Sequence, residues 1–249
     1  MGIYRDTLAN PYTPDFGGAV ARGEIPGYSY EHKFGYGVTA GSNTQTIWTG
    51  TNSIYIFPGS ATYMKLTSTV SADDTSTVIV YGLNSAYTLI NEEMTIIGGG
   101  VTTSTNLFSR VHRIEVTSAE DGVSNQGQLY VGNGTITTQV PANIFAHVAS
   151  DNNQTLQAVY TVPASTTAYI YDMLFSVSQA KTATIELLAR EPGGVFQIKR
   201  HFDMFQQAVQ RNFFLPLKFT EKTDINFLAT GTAAANTVTA EFDMLLVDN

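Results

Sequence analysis

Four histidines (His32, His112, His147 and His201) and two adjacent acidic pairs, Asp73-Asp74 and Glu92-Glu93, are the side chains here that could do chemistry. A protein metal centre needs several ligands brought together, and short spacings such as HxH or HExxH do this on one strand or helix face. The histidines lie far apart and form neither pattern. His112 and His201 stand beside arginines in strand-like runs, which fits a solvated or partner-facing role. There is no cysteine, so thiolate nucleophiles and disulfides are excluded, and zinc would have to use His and carboxylates. Glycoside hydrolysis needs two carboxyl groups about 5–10 Å apart, but neighbours in a strand point to opposite faces. Asp73-Asp74, if in a loop, could touch calcium, yet one pair supplies too few oxygens. Both acidic pairs read as solvated loop and edge charge, and Asp172, Asp203 and Asp243 as outward-facing residues among apolar ones. No nucleophile elbow, P-loop or dinucleotide fingerprint occurs. The expectation is a protein that is not an enzyme and needs neither cofactor nor metal.

The bulk composition points the same way. Charged residues make up 14% of the 249, against 43% hydrophobic, well below the usual quarter. Low charge leaves surface that costs little to desolvate against a partner. Asp and Glu outnumber Lys and Arg by 21 to 13, a formal charge of −8. That balance argues against nucleic acid as the main partner, since phosphate neutralisation needs a basic patch; a local one around Arg190, Lys199, Arg200 and Arg211 is the exception to weigh. No apolar run reaches the ~18–20 residues of a membrane span, and the first residues lack a signal-peptide core. The expectation is a soluble chain made in the cytoplasm, with no membrane partner.

The elements that would position these residues are strands. Ser76–Ala119 reads as strand, turn, strand, turn, strand, with period-2 alternation broken at Asn84-Ser85 and Gly98-Gly99-Gly100. Gln128–Val131 and Thr135–Val140 flank Gly132-Asn133-Gly134, a hairpin signal because Asn-Gly supplies positive φ. Seven further runs come after them: Leu156–Val162, Thr167–Ser178, Thr182–Arg190, Val195–Phe205, Asn212–Phe219, Asp224–Thr230 and Val238–Val247. Short strands with turns every 8–12 residues predict an all-β fold of two β-sandwich or jelly-roll-like domains. Pro141–Gln154 breaks the alternation and marks the boundary, with a short helical turn conceivable at Asn143–Val148. The first domain is then 38–145 and the second 146–249. Trp48, the only tryptophan, reads as a core plug.

Residues 1–37 differ from the rest of the chain. Prolines, glycines and aromatics alternate without a persistent period, which predicts an extended N-terminal arm. Tyr4, Tyr12, Phe16, Tyr28 and Tyr30 are its candidate interaction residues. Aromatic rings bury large area at low rotamer cost, on the chain's own body or on a neighbour.

The words VYGLNSAYTLINEEMTI, LFSRVHRIEVTSA and NNQTLQAVYTVPASTTAYI, with the ending FDMLLVDN, resemble a family of uncharacterised structural proteins of tailed phages, mainly marine ones. The likeness runs from about Tyr30 to the C-terminus. It brings no catalytic motif. It implies a virion part, assembled in the host cytoplasm, with phage structural proteins as partners. Within the virion, two compact lobes plus an arm suit capsid decoration or cement on the major capsid protein. The alternative is a tail, baseplate or fibre component that binds tail proteins and host glycans. Open sheet edges must be covered or paired, which predicts a homo-oligomer, trimeric or dimeric.

Overall fold

The computed structural model describes residues 16–39, 41–178, 181–232 and 235–249. It is all-β, built from antiparallel strands. A short helix, α1 (Phe16–Ala21), leads into β1 (Tyr28–Thr39) and β2 (Thr44–Thr46). Then come β3 (Thr62–Ser68), β4 (Thr77–Leu83), β5 (Leu89–Thr95), β6 (Thr102–Phe108), β7 (Arg110–Ser118), β8 (Leu129–Thr137) and β9 (Val140–Val148). The last seven are β10 (Val159–Thr161), β11 (Thr166–Val177), β12 (Thr182–Arg190), β13 (Gln197–Phe205), β14 (Ala208–Phe219), β15 (Asp224–Gly231) and β16 (Asn236–Asp248).

Four sheets surround two cores. Sheet I runs β1-β16-β11-β14, and sheet II runs β10-β15-β12-β13 with β2 beside β15. Their inner faces share one core, including Ile170, Phe175, Ile185, Leu187, Phe227 and Phe242. Sheet III runs β6-β3-β8-β9 and sheet IV runs β5-β4-β7. These enclose a second core, with Met64, Leu66, Val78, Val80, Ile114 and Val131. The alternating burial of β12 and β16, with apolar residues inward at every second position, is the period-2 signature of a strand with one buried face. The seven runs read from the sequence after residue 155 coincide with β10–β16.

Several expectations are corrected. The arm reading fails over 28–37: Tyr28–Thr39 is a strand paired along its whole length with β16. Its inward positions are Lys33, Gly35 and Gly37 rather than large apolar residues, and the aromatic alternation of Tyr28, Tyr30, Phe34 and Tyr36 runs on the opposite face, interrupted by His32. Gly35 has a physical reason to be there. A Cβ would meet Ile47 O at 2.2 Å and Ala158 N at 2.4 Å, because the β2 and β10 backbones cross directly beneath it. For the same reason the boundaries at 38 and 146 shift. Thr44–Thr46 pairs with β15, so β1 and β2 belong with the C-terminal strands. Val140–Val148 is β9 rather than a linker or helical turn. The β8–β9 hairpin turns at Thr138-Gln139, both at positive φ (49° and 65°), and Gly134 (φ 85°) sits in a register irregularity inside the ladder. In the central stretch, β4 pairs β5 and β7 while β6 crosses to sheet III. Trp48 is buried in the second core, edge-on to Tyr55 at 5.1 Å.

The seam between the two cores is charged. Arg110 of β7 sends Nε and Nη2 to the two oxygens of Asp224 on β15, at 2.7 and 3.0 Å. Arg190 of β12 adds a 2.6 Å contact to Asp224 Oδ2, and the Thr161 hydroxyl donates to Oδ1 at 2.7 Å. Arg110 Nη1 donates to the carbonyls of Pro58 and Ser109, and its guanidinium lies over the Phe57 and Tyr87 rings. Arg110 and Asp224 side chains are 8% and 4% exposed. Nearby, Lys33 Nζ donates to the His112 carbonyl at 2.6 Å. Removing one partner of a buried pair strands the other charge. Asp224→Asn should therefore cost about 3–5 kcal/mol and lower the melting temperature by roughly 6–20 °C. Thermal denaturation followed by circular dichroism measures this; a change within a degree would mean that the seam charges are already satisfied by carbonyls.

Candidate interaction surface

The outer face of sheet I carries an apolar cleft open to solvent. On β1 the outward positions are Tyr28, Tyr30 and His32. The register places Tyr30 opposite Leu245, and Leu245 opposite Tyr169. Helix α1 lies across one part of this face, where Ala19, Val20 and Ile25 pack on Tyr28 and Leu245. Phe16 meets Tyr28 edge-on at 5.7 Å. What the helix leaves uncovered is a cleft in two connected parts that share Phe16, Tyr171 and Leu245. The smaller, of ≈ 250 Å³, reaches Val20, Tyr30 and Asp243. The larger, of ≈ 540 Å³, runs past Tyr169 to Pro216.

A double irregularity forms one wall. Between the pairs Ile170↔Leu217 and Asp172↔Asn212, β11 has one residue, Tyr171, and β14 has four, Phe213–Pro216. Tyr171 is also extra with respect to β16. Surplus residues in a ladder must leave the plane of pairing. Phe213 remains packed on the core, whereas Phe214 and Leu215 stand 99% and 76% exposed. A rim of polar groups closes the other end. Tyr30 OH donates to Asp243 Oδ1 at 2.5 Å, and His32 Nδ1 lies 2.7 Å from the same oxygen. Burial, and then the Asp243 carboxylate, push the Tyr30 phenol well above its ordinary range.

The structure therefore brings Phe16, Tyr28 and Tyr30 together at one cleft, although on a helix and a strand rather than a free arm. Tyr4 and Tyr12 lie outside the described residues. Tyr169, Tyr171, Leu245 and the Phe214–Leu215 bulge were not singled out from the sequence. The run FFLP at 213–216, an apolar string with no alternation and a proline, was the signal that could have found the bulge.

The other residues with chemical potential are spent on the protein itself. Asp73 is buried, not solvated: its carboxylate accepts from Ser68 Oγ and the Gln126 and Gly127 amides, at 2.6, 2.7 and 2.9 Å. Asp74 accepts from Gly98 N. Glu92 accepts from the Thr105 and Asn106 amides of β6 and lies below its ordinary pKa, because these bonds outweigh its partial burial. His201 sits against Glu186 at 2.9 Å and Asp203 at 3.5 Å on exposed β13, and its pKa is raised chiefly by the Glu186 bond. Arg190, counted in the basic patch, turns inward to Asp224, while Lys199 is half-buried and Arg200 and Arg211 stay exposed. Among the described residues no group of three or more His, Asp or Glu is placed to hold a metal ion, and no helix is long and apolar enough to cross a membrane.

No family model matches the chain, and no curated protein matches it. Among solved structures, it is similar to the structure of infectious bursal disease virus Gt strain, at 8% identity and TM-score 0.23, over 90% of this chain and 74% of that one. It is also similar to the crystal structure of PBSX exported protein XepA, at 10% identity and TM-score 0.20, over 86% of each chain. A third is the 2.6 Å structure of infectious bursal virus derived T=1 particles, at 9% identity and TM-score 0.23, over 89% and 70%. Similarities of this size carry no argument about function.

Two buried histidines make stability depend on pH. His112 stacks on Tyr160 at 4.3 Å. Burial, then Lys33 and Arg110, hold its pKa well below the ordinary value. His147, between Thr49 Oγ1 and Gln128 Oε1, is pushed down by burial to about 4. Below pH ~6.5 the unfolded imidazoles take protons that the folded ones refuse, so stability is full above that value and falls as pH drops toward 4. His147 alone should remove about 2–3 kcal/mol by pH 4.5. Melting temperatures from pH 7 to 4.5 should decline, less steeply in His147→Gln; parallel slopes in the two proteins would contradict the assignment.

Proposed function

We propose that this chain is a non-enzymatic structural protein of a tailed-phage virion, most specifically a capsid decoration or cement protein that docks on the major capsid protein and stabilises the head. In this reading the two cores belong to a pair of β-sandwich or jelly-roll-like lobes. The observation that carries the reading is the aromatic cleft on sheet I: an apolar, tyrosine-rich surface fits a polypeptide partner, since tyrosine and phenylalanine supply rigid contact area at low entropic cost. The sequence likeness to phage structural proteins supports it. So does the low charge, which leaves little to desolvate on assembly. The partners in this reading are other virion proteins and further copies of the same chain, and nucleic acid and membrane are not among them.

Immunogold labelling and quantitative mass spectrometry of purified particles test it. Decoration requires hundreds of copies distributed over the head. A few to a few dozen copies on the tail would move the protein to the tail or baseplate. Absence from purified particles would overturn the virion reading altogether.

A further inference from the structure

We infer that the outer face of sheet I is a twofold self-association surface, on which the Phe214–Leu215 bulge of one copy fills the tyrosine cleft of a second copy and receives the same contact in return. An apolar knob stands beside an apolar hole at the β14 margin of sheet I. Phe214, at 99% exposure, has essentially no contact with its own chain. Pro216, two residues on, lines the cleft, and Tyr171, opposite the bulge, stands between knob and hole. A cleft of ≈ 540 Å³ has room for a phenyl ring and part of a leucine. A knob and hole side by side cannot satisfy one another within a single chain, but two copies related by a twofold axis satisfy both at once. This is the geometry of an isologous interface, in which one patch is complementary to itself.

Charge agrees with shape. Arg211 and Lys218 flank the bulge on β14 and are exposed, whereas Asp243 borders the cleft. A partner turned by a twofold axis brings basic strand against acidic rim, which fixes register and raises the association rate. Sheet I also ends at β14, whose outer edge has no neighbouring strand. A second copy would shelter it, as open edges demand.

This inference rests on the homo-oligomeric part of the proposed function, and its failure can be told apart from failure of the virion reading, which is tested on particles. Sedimentation equilibrium of the full chain at micromolar concentration should give a dimer. Phe214→Asp should weaken it by about 30-fold at each of two equivalent contacts, roughly 1,000-fold overall, with an unchanged melting curve at concentrations where both proteins are monomeric, because the ring makes no core contact. Tyr171→Arg, which fills the hole, should do the same from the other side. Removal of residues 2–15, which join the structure at Phe16 beside the cleft, should leave the dimer intact. A monomeric full chain that dimerises only after that removal would show that its own N-terminal residues occupy the cleft, and would overturn the proposal. A full chain that stays monomeric with or without those residues would overturn it too, as would a dimer or trimer insensitive to both Phe214→Asp and Tyr171→Arg.

Discussion

The bidentate pair between Arg110 and Asp224 holds the two halves of this protein in register. The chain passes through the sheet I/II lobe twice: β1 and β2 come first, β3–β9 then build the other core, and β10–β16 return. Both crossings occur side by side, where Trp48 and Gln157 form a bridge and Ala158 N donates to Ile47 O at 3.0 Å. Two adjacent crossings form a hinge unless something off the axis opposes rotation. Arg110, reaching from β7 to β15, is that brace. One carboxylate serving two guanidiniums leaves a net positive charge in a dry seam, which is costly in isolation. The surplus hydrogen-bonding capacity goes to the Pro58 and Ser109 carbonyls, and the cationic faces lie over Phe57, Tyr87 and Phe196.

The same seam explains the unusual composition of β1. A strand that lays one face on a core would be expected to send valines and isoleucines inward. β1 instead sends Lys33 to the His112 carbonyl and two glycines toward the crossing backbones. Lys33 is buried, and that burial lowers its ammonium to about 8. The position tolerates a lysine because its long stem spans the gap between lobes and its head finds an oxygen on the far side. Apolar packing would fill that gap without linking the two backbones.

Legibility in the sequence tracks this division. Strands β10–β16 were readable because each presents one face to a single core and so alternates. β1 was missed because its inner face, Lys-x-Gly-x-Gly, meets backbone and a polar seam, while its period-2 aromatics, Tyr28, Tyr30, Phe34 and Tyr36, lie on the outer face. The Pro141–Val148 stretch misled for a related reason: Pro141 is a cue for a break, yet here it occupies the second position of a strand whose partner absorbs the disturbance with an irregular register at Asn133–Ile136. The cleft was half legible. Phe16, Tyr28 and Tyr30 announced themselves as aromatics in a polar, glycine-rich setting, but Tyr169 and Leu245 looked like ordinary strand residues. Which face of a two-sided strand is covered depends on what packs there, and that is long-range information. The acidic residues Asp73 and Glu92 were misread because their partners are backbone amides 13 to 54 residues away, and an amide in need of an acceptor leaves no trace in the sequence.

The treatment of sheet edges gives the cleft face its meaning. Where β5 and β6 end their respective sheets, Glu92 reaches across and takes the Thr105 and Asn106 amides, so that margin is closed by a side chain of the same chain. On β13 charge is interspersed along the margin: Arg200 and Asp203 stand exposed beside Ile198 and Phe205, and such charges discourage strand addition. β14 has two polar stretches, Gln210–Asn212 and Lys218, but between them the defence is abandoned and four consecutive residues, Phe213–Pro216, break out of the ladder. A bulge twists an edge away from unwanted pairing, and a polar residue at its tip would have done so at no risk to solubility. Phenylalanine and leucine at that tip are the opposite choice. Solvent-exposed aromatic surface beside an aromatic-lined cleft is a cost to the isolated chain and a gain only when something covers it, which is why the proposed self-association is placed at this edge.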